Sequence, residues 1–494
     1  MLSLDDVKEL AKTYNVIPVT KRLFSGTETP LGIYQKLCEK RPNTFLLESA
    51  EQGVWGRYSF IGASSRGQLI ADEEKATWIS EFSALPEGDL ASEPMAALEQ
   101  LQSAWHSAPA GFPLSSGLVG FVSWGAVNLI EKLPPPKSED YQVPLYGFNQ
   151  FRELIVMDHK SAELILVSVI FVDGTDLSVS YENALADLTH LEDQLRKPTK
   201  ALISEPNWPA PSFEKRTPKQ DFLDQVEKAK HHVRLGDVFQ VVISQRFDQK
   251  ITADASEVYR ALRAVNPSPY MYLTRWEDQS GEFAIVGSSP EALVKVTEGR
   301  AITHPIAGSR PRGEDAATDL ALAEELLADA KEQSEHLMLV DLARNDLLKV
   351  CEPQSLQVTE FMQIHRFSHI MHLVSTVEGK LRAGQSPVQA MLATFPAGTL
   401  SGAPKPRALE IIHDLEPAYR GLFGGVVGYF DFEGNSDLAI AIRTALIRDG
   451  VAHVQAGAGI VLDSKPESEY AETEAKAAVV LRAVAAANAM ASEG

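Results

Sequence analysis

Cysteine is nearly absent from this sequence, which holds only Cys38 and Cys351 in 494 residues. The two cysteines are far apart in sequence and are not arranged as a metal or redox pair. The sequence also lacks a glycine-rich turn that opens a helix after a strand, which argues against a dinucleotide or P-loop site. These absences favour a protein of a reducing compartment, without an implied role for either thiol.

Positively charged residues are outnumbered, because the chain has 46 Lys and Arg and 67 Asp and Glu, which gives a net charge of -21. Such a chain repels phosphate backbones and anionic lipid surfaces, so nucleic acid and membrane partners are not expected. The N-terminus does not resemble a signal peptide, and the longest apolar run, 164–172, is too short to span a bilayer. We therefore expect a cytoplasmic protein that needs a metal or local cations to bind an anionic substrate.

The strand and turn signals predict an α+β protein with large antiparallel sheets. Glu-Gly and Asp-Gly turns, at 433–434 and 449–450 respectively, separate strand pairs, and single helices are predicted at 319–348 and 465–487. The stretch 197–216 holds four prolines and little periodicity, which is typical of a connector. The predicted organisation is an N-terminal region 1–196, a connector 197–216 and a C-terminal region 217–494.

Two Glu-x-x-Glu pairs, Glu332 with Glu335 and Glu469 with Glu472, fall inside predicted helices. A spacing of three residues places both carboxylates of a pair on one helix face. Facing carboxylates suit Mg²⁺, which takes oxygen ligands and keeps positions open for water or substrate. The alternative is a solvated helix face, and the spacing alone leaves both interpretations open.

A series of longer motifs resembles the chorismate-binding enzyme family, whose members include anthranilate, aminodeoxychorismate, isochorismate and salicylate synthases. The motifs occur in order between about residues 220 and 490: SPEAL, HPIAGSRPRG, SEHLMLVDLARNDL, IMHLVSTVEG, GTLSGAPKPRA, GGVVGYF, IAIRTA and QAGAGIVLDS followed by AETEAKA. The resemblance implies the fold of chorismate-utilising enzymes, in which antiparallel sheets pack as a sandwich with helices outside. It also implies Mg²⁺ as cofactor, bound through Glu332, Glu335, Glu469 and Glu472.

The resemblance further assigns substrate contacts. Arg443, placed in an apolar strand by its IAIRTA motif, is expected to bind the enolpyruvyl carboxylate together with the backbone near Gly459. Lys476 resembles a further contact to chorismate. The implied substrate-binding residues are Ala307, Gly308, Ser309, Arg443, Gly457, Ala458, Gly459 and Lys476.

The implied catalytic residues are Glu291, His372, Gln240 and Thr399. Glu291 resembles the acid that protonates the departing hydroxyl, and His372 the histidine of the pyruvate-elimination phase. Water-using members carry lysine where this chain has Gln240, which favours ammonia as the nucleophile. Aminodeoxychorismate synthases read Pro-Ile-Lys-Gly where this chain has Ala307, which favours anthranilate as product. One departure is Phe423, where tyrosine is usual.

The N-terminal region carries a Leu-Leu-Glu-Ser motif that resembles tryptophan feedback sites, and Asn-Pro-Ser-Pro-Tyr-Met supplies its second half. Read alone, these motifs are a strand end and a turn. The expected tryptophan contacts are Glu48, Ser49, Arg57, Pro269, Tyr270, Met271 and Tyr429.

Neither cysteine lies in a Gly-x-Cys-x-Gly turn, so no glutaminase site is visible in this sequence. The expected partner is therefore a glutamine amidotransferase small subunit, in a heterotetramer, that supplies ammonia. The family resemblance thus predicts a large, aminating subunit that converts chorismate to anthranilate and pyruvate under tryptophan feedback. The alternatives are an aminodeoxychorismate synthase-type enzyme and a non-catalytic, tryptophan-sensing subunit.

Overall fold

Antiparallel strands and helices make up most of the chain, and the computed structural model describes residues 1–50, 56–80, 89–134, 141–198, 203–366 and 370–492. The α-helices in these residues are α1 (Leu4–Leu10), α2 (Pro30–Leu37), α3 (Pro94–Ala104), α4 (Val127–Ile130), α5 (Leu177–Leu195), α6 (Lys219–Leu235), α7 (Ala255–Val265), α8 (Ala316–Ala328), α9 (Ala330–Leu348), α10 (Pro387–Thr394), α11 (Lys405–Leu415) and α12 (Pro466–Ser492). None of these helices combines the length and the hydropathy needed to span a bilayer.

The strands, again in chain order, are β1 (Val16–Phe24), β2 (Thr44–Glu48), β3 (Tyr58–Ala71), β4 (Ala76–Ile79), β5 (Gly117–Val122), β6 (Tyr146–Asp158), β7 (Glu163–Phe171), β8 (Glu214–Lys215), β9 (Gln240–Lys250), β10 (Tyr270–Asp278), β11 (Gly281–Ser289), β12 (Ala292–Thr297), β13 (Arg300–Thr303), β14 (Ile306–Pro311), β15 (Gln357–Arg366), β16 (Ile370–Lys380), β17 (Gly402–Ala403), β18 (Val426–Asp431), β19 (Ser436–Ile440), β20 (Thr444–Arg448) and β21 (Val451–Ile460).

The strands form two antiparallel ladders that share β3 and β6. One ladder runs β1-β7-β6-β3-β2-β10-β11-β20-β21-β9. The other runs β4-β3-β6-β5-β18-β19-β12-β13-β16-β15, with β14 also paired to β16. The register of β3 against β6 shifts repeatedly between Gly62 and Gly67, and such bulges bend and twist strands.

The two ladders pack face to face through large aromatic side chains. Phe121 of β5 lies edge-on to Trp276 of β10, with ring centroids 5.1 Å apart, and to Phe283 of β11 at 5.9 Å. These rings belong to one buried apolar cluster. Helices α2, α5, α7 and α12 contribute buried side chains to a second cluster with strands of the first ladder. The expected α+β sandwich with outer helices is confirmed.

Strands from opposite sides of the predicted connector pair directly. β2 pairs with β10, where Leu47 faces Tyr272, and β5 pairs with β18, where Val119 faces Tyr429. Residues 203–213 form neither helix nor strand, whereas 199–202 of the connector lie outside the described residues. The boundary at 197–216 stays a prediction, but the strand pairing joins both sides of it.

The helix predicted at 319–348 is in fact two helices, α8 and α9. They meet at Asp329, whose side chain accepts hydrogen bonds from the backbone N–H groups of Lys331 and Glu332. A carboxylate in this position satisfies the free N–H groups of a helix start. The apolar pattern continues past this cap and therefore predicted a single helix, which is wrong. Because Asp329 caps a new helix, α9 begins just before its two glutamates, Glu332 and Glu335.

Candidate active site

A cavity of about 690 Å³ lies among α9, α12, β14, β16 and β21, and it gathers most of the predicted site residues. The predicted residues that line it are Glu291, Ala307, Gly308, Ser309, Glu332, Glu335, His372, Thr399, Arg443, Gly457, Glu472 and Lys476. These residues are separated by up to 185 positions in sequence, so the shared cavity results from folding. We refer to it as the active-site cavity.

Glu291 stands between the end of β11 and the start of β12, at the wall of this cavity. Thr399 donates a hydrogen bond of 2.9 Å from its hydroxyl to Oε1 of Glu291. Burial raises the pKa of Glu291 to about 7, while the Thr399 hydrogen bond and the charge of Lys476 oppose that rise. A carboxyl group with such a pKa can donate a proton near neutral pH.

His372 lies on β16 opposite Ser309 of β14. Its Nδ1 is 3.1 Å from the carbonyl oxygen of Gly308. A carbonyl oxygen only accepts, so Nδ1 carries the proton in the neutral ring and Nε2 keeps its lone pair. Burial lowers the pKa of His372, and the nearby Arg443 lowers it further. The hydrogen bond to Gly308 opposes this lowering, and the net shift favours the neutral imidazole, which can act as a base.

Arg443 is not within a strand, as its apolar motif predicted, but in the break between β19 and β20. Its backbone has a φ of 52°, in the left-handed region that residues other than glycine rarely adopt. This turn directs the chain out of the ladder, and the guanidinium reaches the cavity, where Nη1 donates to the carbonyl of Lys476 at 3.3 Å. Burial lowers the pKa of Arg443, although arginine remains a cation.

Lys476 connects helix α12 to strand β21 at the cavity wall. Its Nζ donates to the carbonyl oxygen of Gly457 at 3.0 Å and pairs with Glu472 at 2.6 Å. Glu472 and Lys476 are one turn apart on α12, which is the helical spacing that brings such pairs together. Together with Arg443, Lys476 supplies the local positive charge that an anionic ligand requires in an acidic protein.

Three of the four predicted metal ligands, Glu332, Glu335 and Glu472, line the cavity from two helices. The pKa of Glu335 is raised first by burial, then by the charge of Glu332 and more weakly by that of Glu472. Among the described residues, no group of three His, Cys, Asp or Glu side chains is already arranged to hold a metal. Clustered carboxylate oxygens that repel one another nonetheless fit a hard divalent cation, because a cation would relieve the repulsion.

Glu469, Gln240, Ala458 and Gly459 do not line the cavity. Burial raises the pKa of Glu469, and a hydrogen bond from Ser464 opposes that rise. Gln240 is buried beside Gly459, where an added Cβ would lie 2.6 Å from Gln240 Nε2. A side chain at position 459 would therefore have to displace the flexible end of the Gln240 side chain, which lies behind the cavity wall.

Sequence reasoning missed Asn266, Ser268 and Gln455, which also line the cavity. The signal for them was present, because Asn266 and Ser268 belong to the Asn-Pro-Ser-Pro motif and Gln455 opens the QAGAG motif. The sequence predicts only feedback contacts from the first motif and only contacts of Gly457, Ala458 and Gly459 from the second.

Arg420 was also missed, because it does not touch the cavity but supports its wall. Its guanidinium pairs with Glu416 at 2.7 Å and donates to the carbonyl oxygens of Leu400 at 2.7 Å and Val242 at 2.9 Å. Both charged side chains are almost fully buried. Since Leu400 follows Thr399 directly, this buried ion pair helps to position the hydroxyl that bonds to Glu291.

A second cavity, of about 380 Å³, gathers most residues of the predicted feedback site: Glu48, Ser49, Pro269, Tyr270, Met271 and Tyr429. Glu48 is buried and accepts hydrogen bonds from the Tyr259 hydroxyl at 2.9 Å and from Arg263 Nε at 2.5 Å. Arg57 does not line this cavity, and its guanidinium pairs with Asp158 at 2.8 Å. Pro269 lines both cavities, so one short segment separates them.

Comparison with known proteins assigns the chain to a family. The family model described as chorismate binding enzyme matches residues 42–482. The chain belongs to the chorismate-binding enzyme family. Within this family it is 46% identical to anthranilate synthase component 1 of Mycolicibacterium smegmatis, over 98% of this chain and 94% of that protein. It is 48% identical to anthranilate synthase component 1 of Arthrobacter globiformis, over 97% of this chain and 92% of that protein.

Solved structures of chorismate-binding enzymes share this fold. Anthranilate synthase component I from Streptococcus pneumoniae superposes with a TM-score of 0.77 at 31% identity, covering 93% of this chain and 99% of that one. The menaquinone-specific isochorismate synthase of Escherichia coli superposes with a TM-score of 0.69 at 19% identity, covering 97% and 98%. The second comparison concerns the fold alone.

Proposed function

We propose that this chain is the aminating component of an anthranilate synthase, which converts chorismate and ammonia into anthranilate, pyruvate and water. This is the first step of tryptophan biosynthesis. Full-length identity of 46–48% to proteins named anthranilate synthase component 1 supports the reaction. The structural observation that carries it is Glu291, a partly buried carboxyl group with a pKa of about 7 in a cavity that also holds Arg443 and Lys476.

Glu291 would act as the general acid of the amination step. Ammonia adds to carbon 2 of the ring while the hydroxyl on carbon 4 leaves, and a proton from Glu291 turns the hydroxyl into water. The hydrogen bond from Thr399 fixes the orientation of the carboxyl group. A water-using reaction would need a base at position 240, where the neutral amide of Gln240 stands.

His372 would act in the second phase, in which pyruvate leaves and the ring loses a proton to become aromatic. Its lowered pKa favours the neutral imidazole, and the Gly308 carbonyl accepts a hydrogen bond from Nδ1, which places the proton there. Nε2 is then the nitrogen that would accept the ring proton. Ser309 faces His372 across the β14–β16 pair and places a hydroxyl at the same wall.

The substrate carries two carboxylates, and the proposed binding groups are of two kinds. Arg443 and Lys476 would bind the enolpyruvyl carboxylate through charge-assisted hydrogen bonds, with the backbone near Gly457. Glu332, Glu335 and Glu472 would hold Mg²⁺, with Glu469 supporting them from outside the lining. When bound, Mg²⁺ would supply the positive charge that offsets the ring carboxylate.

The second cavity would bind tryptophan as a feedback inhibitor. Its lining is mainly aromatic and apolar, which suits an indole ring, and the Glu48 carboxylate suits an amine. A separate glutamine amidotransferase subunit, in a heterotetramer, would supply ammonia. We also propose a cytoplasmic location, for which the two buried, unpaired cysteines are the support.

The test uses the purified chain with chorismate, Mg²⁺ and ammonium chloride, and it follows anthranilate fluorescence and pyruvate together. We expect both products to appear in equal amounts, to depend on Mg²⁺ and to decrease when tryptophan is added. Chorismate consumption without pyruvate would instead identify an aminodeoxychorismate synthase-type enzyme, which keeps the enolpyruvyl group. Tryptophan binding without turnover would identify a non-catalytic subunit. Phe423, which stands where tyrosine is usual, would then be the departure to which the loss of turnover is attributed.

A further inference from the structure

A third cavity, of about 60 Å³, adjoins the active-site cavity, and we refer to it as the rear cavity. Of the described residues, only Glu291 and Thr399 line both cavities. The hydrogen bond between their side chains therefore lies at the wall that separates the two cavities. A water molecule needs roughly 10–15 Å³ of such volume, so the rear cavity has room for a short chain of water molecules. The proposed acid thus adjoins one cavity that suits the substrate and one that suits water.

The rear cavity holds few groups that can exchange a proton with such water near neutral pH. Among its described lining residues, the ionisable ones are Glu291, His304 and Asp346. The two carboxylate oxygens of Asp346 pair with Lys349 and Lys405, each at 2.9 Å. The other polar lining residues are threonines, which do not ionise. His304, which is only partly buried, is therefore the group best suited to exchange a proton with Glu291.

Hydrogen bonds determine which nitrogen of His304 exchanges the proton. The Thr376 hydroxyl donates to Oε2 of Glu360 at 2.8 Å, because a carboxylate only accepts. The same hydroxyl lies 3.1 Å from Nδ1 of His304 and accepts a hydrogen bond from it, so Nδ1 carries a hydrogen. Nε2 is then the nitrogen that gains and loses a proton. The side chain of Glu360 is 48% exposed, so this series of hydrogen bonds runs from His304 to the protein surface.

Several charges act on His304 in addition to its burial. Burial is the largest effect and lowers the pKa of His304. The charges of Glu360 and Asp437 oppose this lowering, whereas those of Lys295 and His365 add to it. The net shift is downward, so the protonated imidazole gives up its proton readily.

We propose that His304 returns a proton to Glu291 through water in the rear cavity after each amination step. This inference rests on the proposed function, in which Glu291 gives its proton to the departing hydroxyl. The active-site cavity still holds the ring at that moment, and the rear cavity remains as the side from which a proton can return. The protonated imidazole loses its Nε2 proton, the carboxylate gains one through the water, and the neutral imidazole then takes up a proton from solvent. Transfer in this direction is favourable, because the pKa of Glu291 is raised to about 7 and that of His304 is lowered.

The test separates the return of the proton from the reaction of chorismate. His304→Gln keeps a group that can donate to Thr376 but cannot carry a proton. Ala343→Leu fills the rear cavity from a partly buried position on α9 that does not line the active-site cavity. The matched control is Ala343→Ser, which leaves room for water. Anthranilate formation is measured at saturating ammonium chloride with chorismate varied, with and without added imidazole.

The expected signature is a change in kcat alone. When chorismate is scarce, the enzyme has time to regain its proton between turnovers, so a slow return lowers kcat and leaves kcat/KM unchanged. We expect His304→Gln and Ala343→Leu to lower kcat by roughly tenfold, whereas Ala343→Ser should resemble the wild type. Added imidazole should restore kcat in His304→Gln but not in Ala343→Leu, where the water is displaced.

Two results would overturn the inference. One is an unchanged kcat in His304→Gln, and the other is a loss of kcat/KM as large as the loss of kcat, which would mean that His304 only supports the structure of the site. Should His304→Gln not fold, the comparison of Ala343→Leu with Ala343→Ser decides by the same criteria. Absence of anthranilate from the wild-type chain would instead overturn the proposed function itself.

Discussion

Thr399 donates a hydrogen bond of 2.9 Å to Glu291, the one carboxyl group at the active-site wall whose pKa is raised to about 7 among the described residues. The bond favours the charged form of the carboxyl group, whereas burial favours the neutral form. Burial is the larger effect, so Glu291 is still partly protonated at neutral pH. This balance links one hydroxyl group to the pH range in which the proposed acid can work.

The first prediction concerns pH. An acid must be protonated to act. We therefore expect kcat/KM for chorismate to be highest below the pKa of Glu291 and to decrease as the pH rises through about 7. Thr399→Val removes the bond that lowers this pKa and should move the decrease to higher pH. Thr399→Ser keeps a hydroxyl and is the control. The measurement is kcat/KM against pH at constant free ammonia, and identical profiles for all three proteins would contradict the assignment.

The second prediction concerns the metal. Glu335→Gln and Glu472→Gln each remove a carboxylate from the acidic side of the cavity, so both should weaken Mg²⁺ binding by about tenfold or more. Glu474→Gln is the control on the same helix, because Glu474 pairs with Lys215 and does not line the cavity. Calorimetric titration with Mg²⁺ in the presence of chorismate checks this. Equal affinities in the three variants would exclude Glu335 and Glu472 as ligands.

The third prediction concerns feedback. Glu48→Gln keeps the side-chain shape but removes the charge that would bind the tryptophan amine, so the inhibition constant for tryptophan should rise by about tenfold or more. Glu277→Gln on β10 changes an exposed carboxylate of a neighbouring strand and serves as the control. Inhibition curves at a fixed chorismate concentration provide the measurement. If Glu48→Gln were inhibited like the wild type, the amine would have to bind elsewhere.

The fourth prediction concerns stability. Arg420→Met leaves Glu416 buried without its cation and should lower the free energy of unfolding by about 3–5 kcal/mol. The double variant with Glu416→Leu should lose less than the sum of the two single variants, because it leaves no unpaired charge. Urea denaturation of the two single variants and the double variant gives the coupling. Additive losses would mean that the buried pair contributes no mutual stabilisation.

The sequence predicted the components of the site better than their arrangement. The resemblance of the motifs to a known family led to Glu291, His372 and Arg443, which all line the active-site cavity, whereas a lone histidine is more often structural. The apolar periodicity predicted one helix where there are two, because Asp329 caps the start of α9 in the middle of the apolar pattern. It also failed at Arg443, whose left-handed backbone is set by tertiary packing.

Other residues were missed because their roles depend on contacts distant in sequence. Arg420 acts through carbonyl oxygens of Leu400 and Val242, and no local pattern indicates which carbonyls a buried arginine will reach. Gln455 was visible in a motif, but the orientation of its amide depends on Ser244, whose hydroxyl accepts from Gln455 Nε2 and donates to Glu416. Such networks are properties of the folded chain.

The pairing of β5 with β18 bears on how the chain is made. β5 ends at Val122, and the strand that covers its free side begins only at Val426. At 5–20 residues per second, a ribosome needs roughly 15–60 s to synthesise the intervening chain. During that time β5 has an unpaired edge, and unpaired edges of apolar strands are templates for wrong association. The nascent protein is therefore exposed to aggregation during synthesis, and protection of the Gly117–Val122 edge by chaperones should improve its yield.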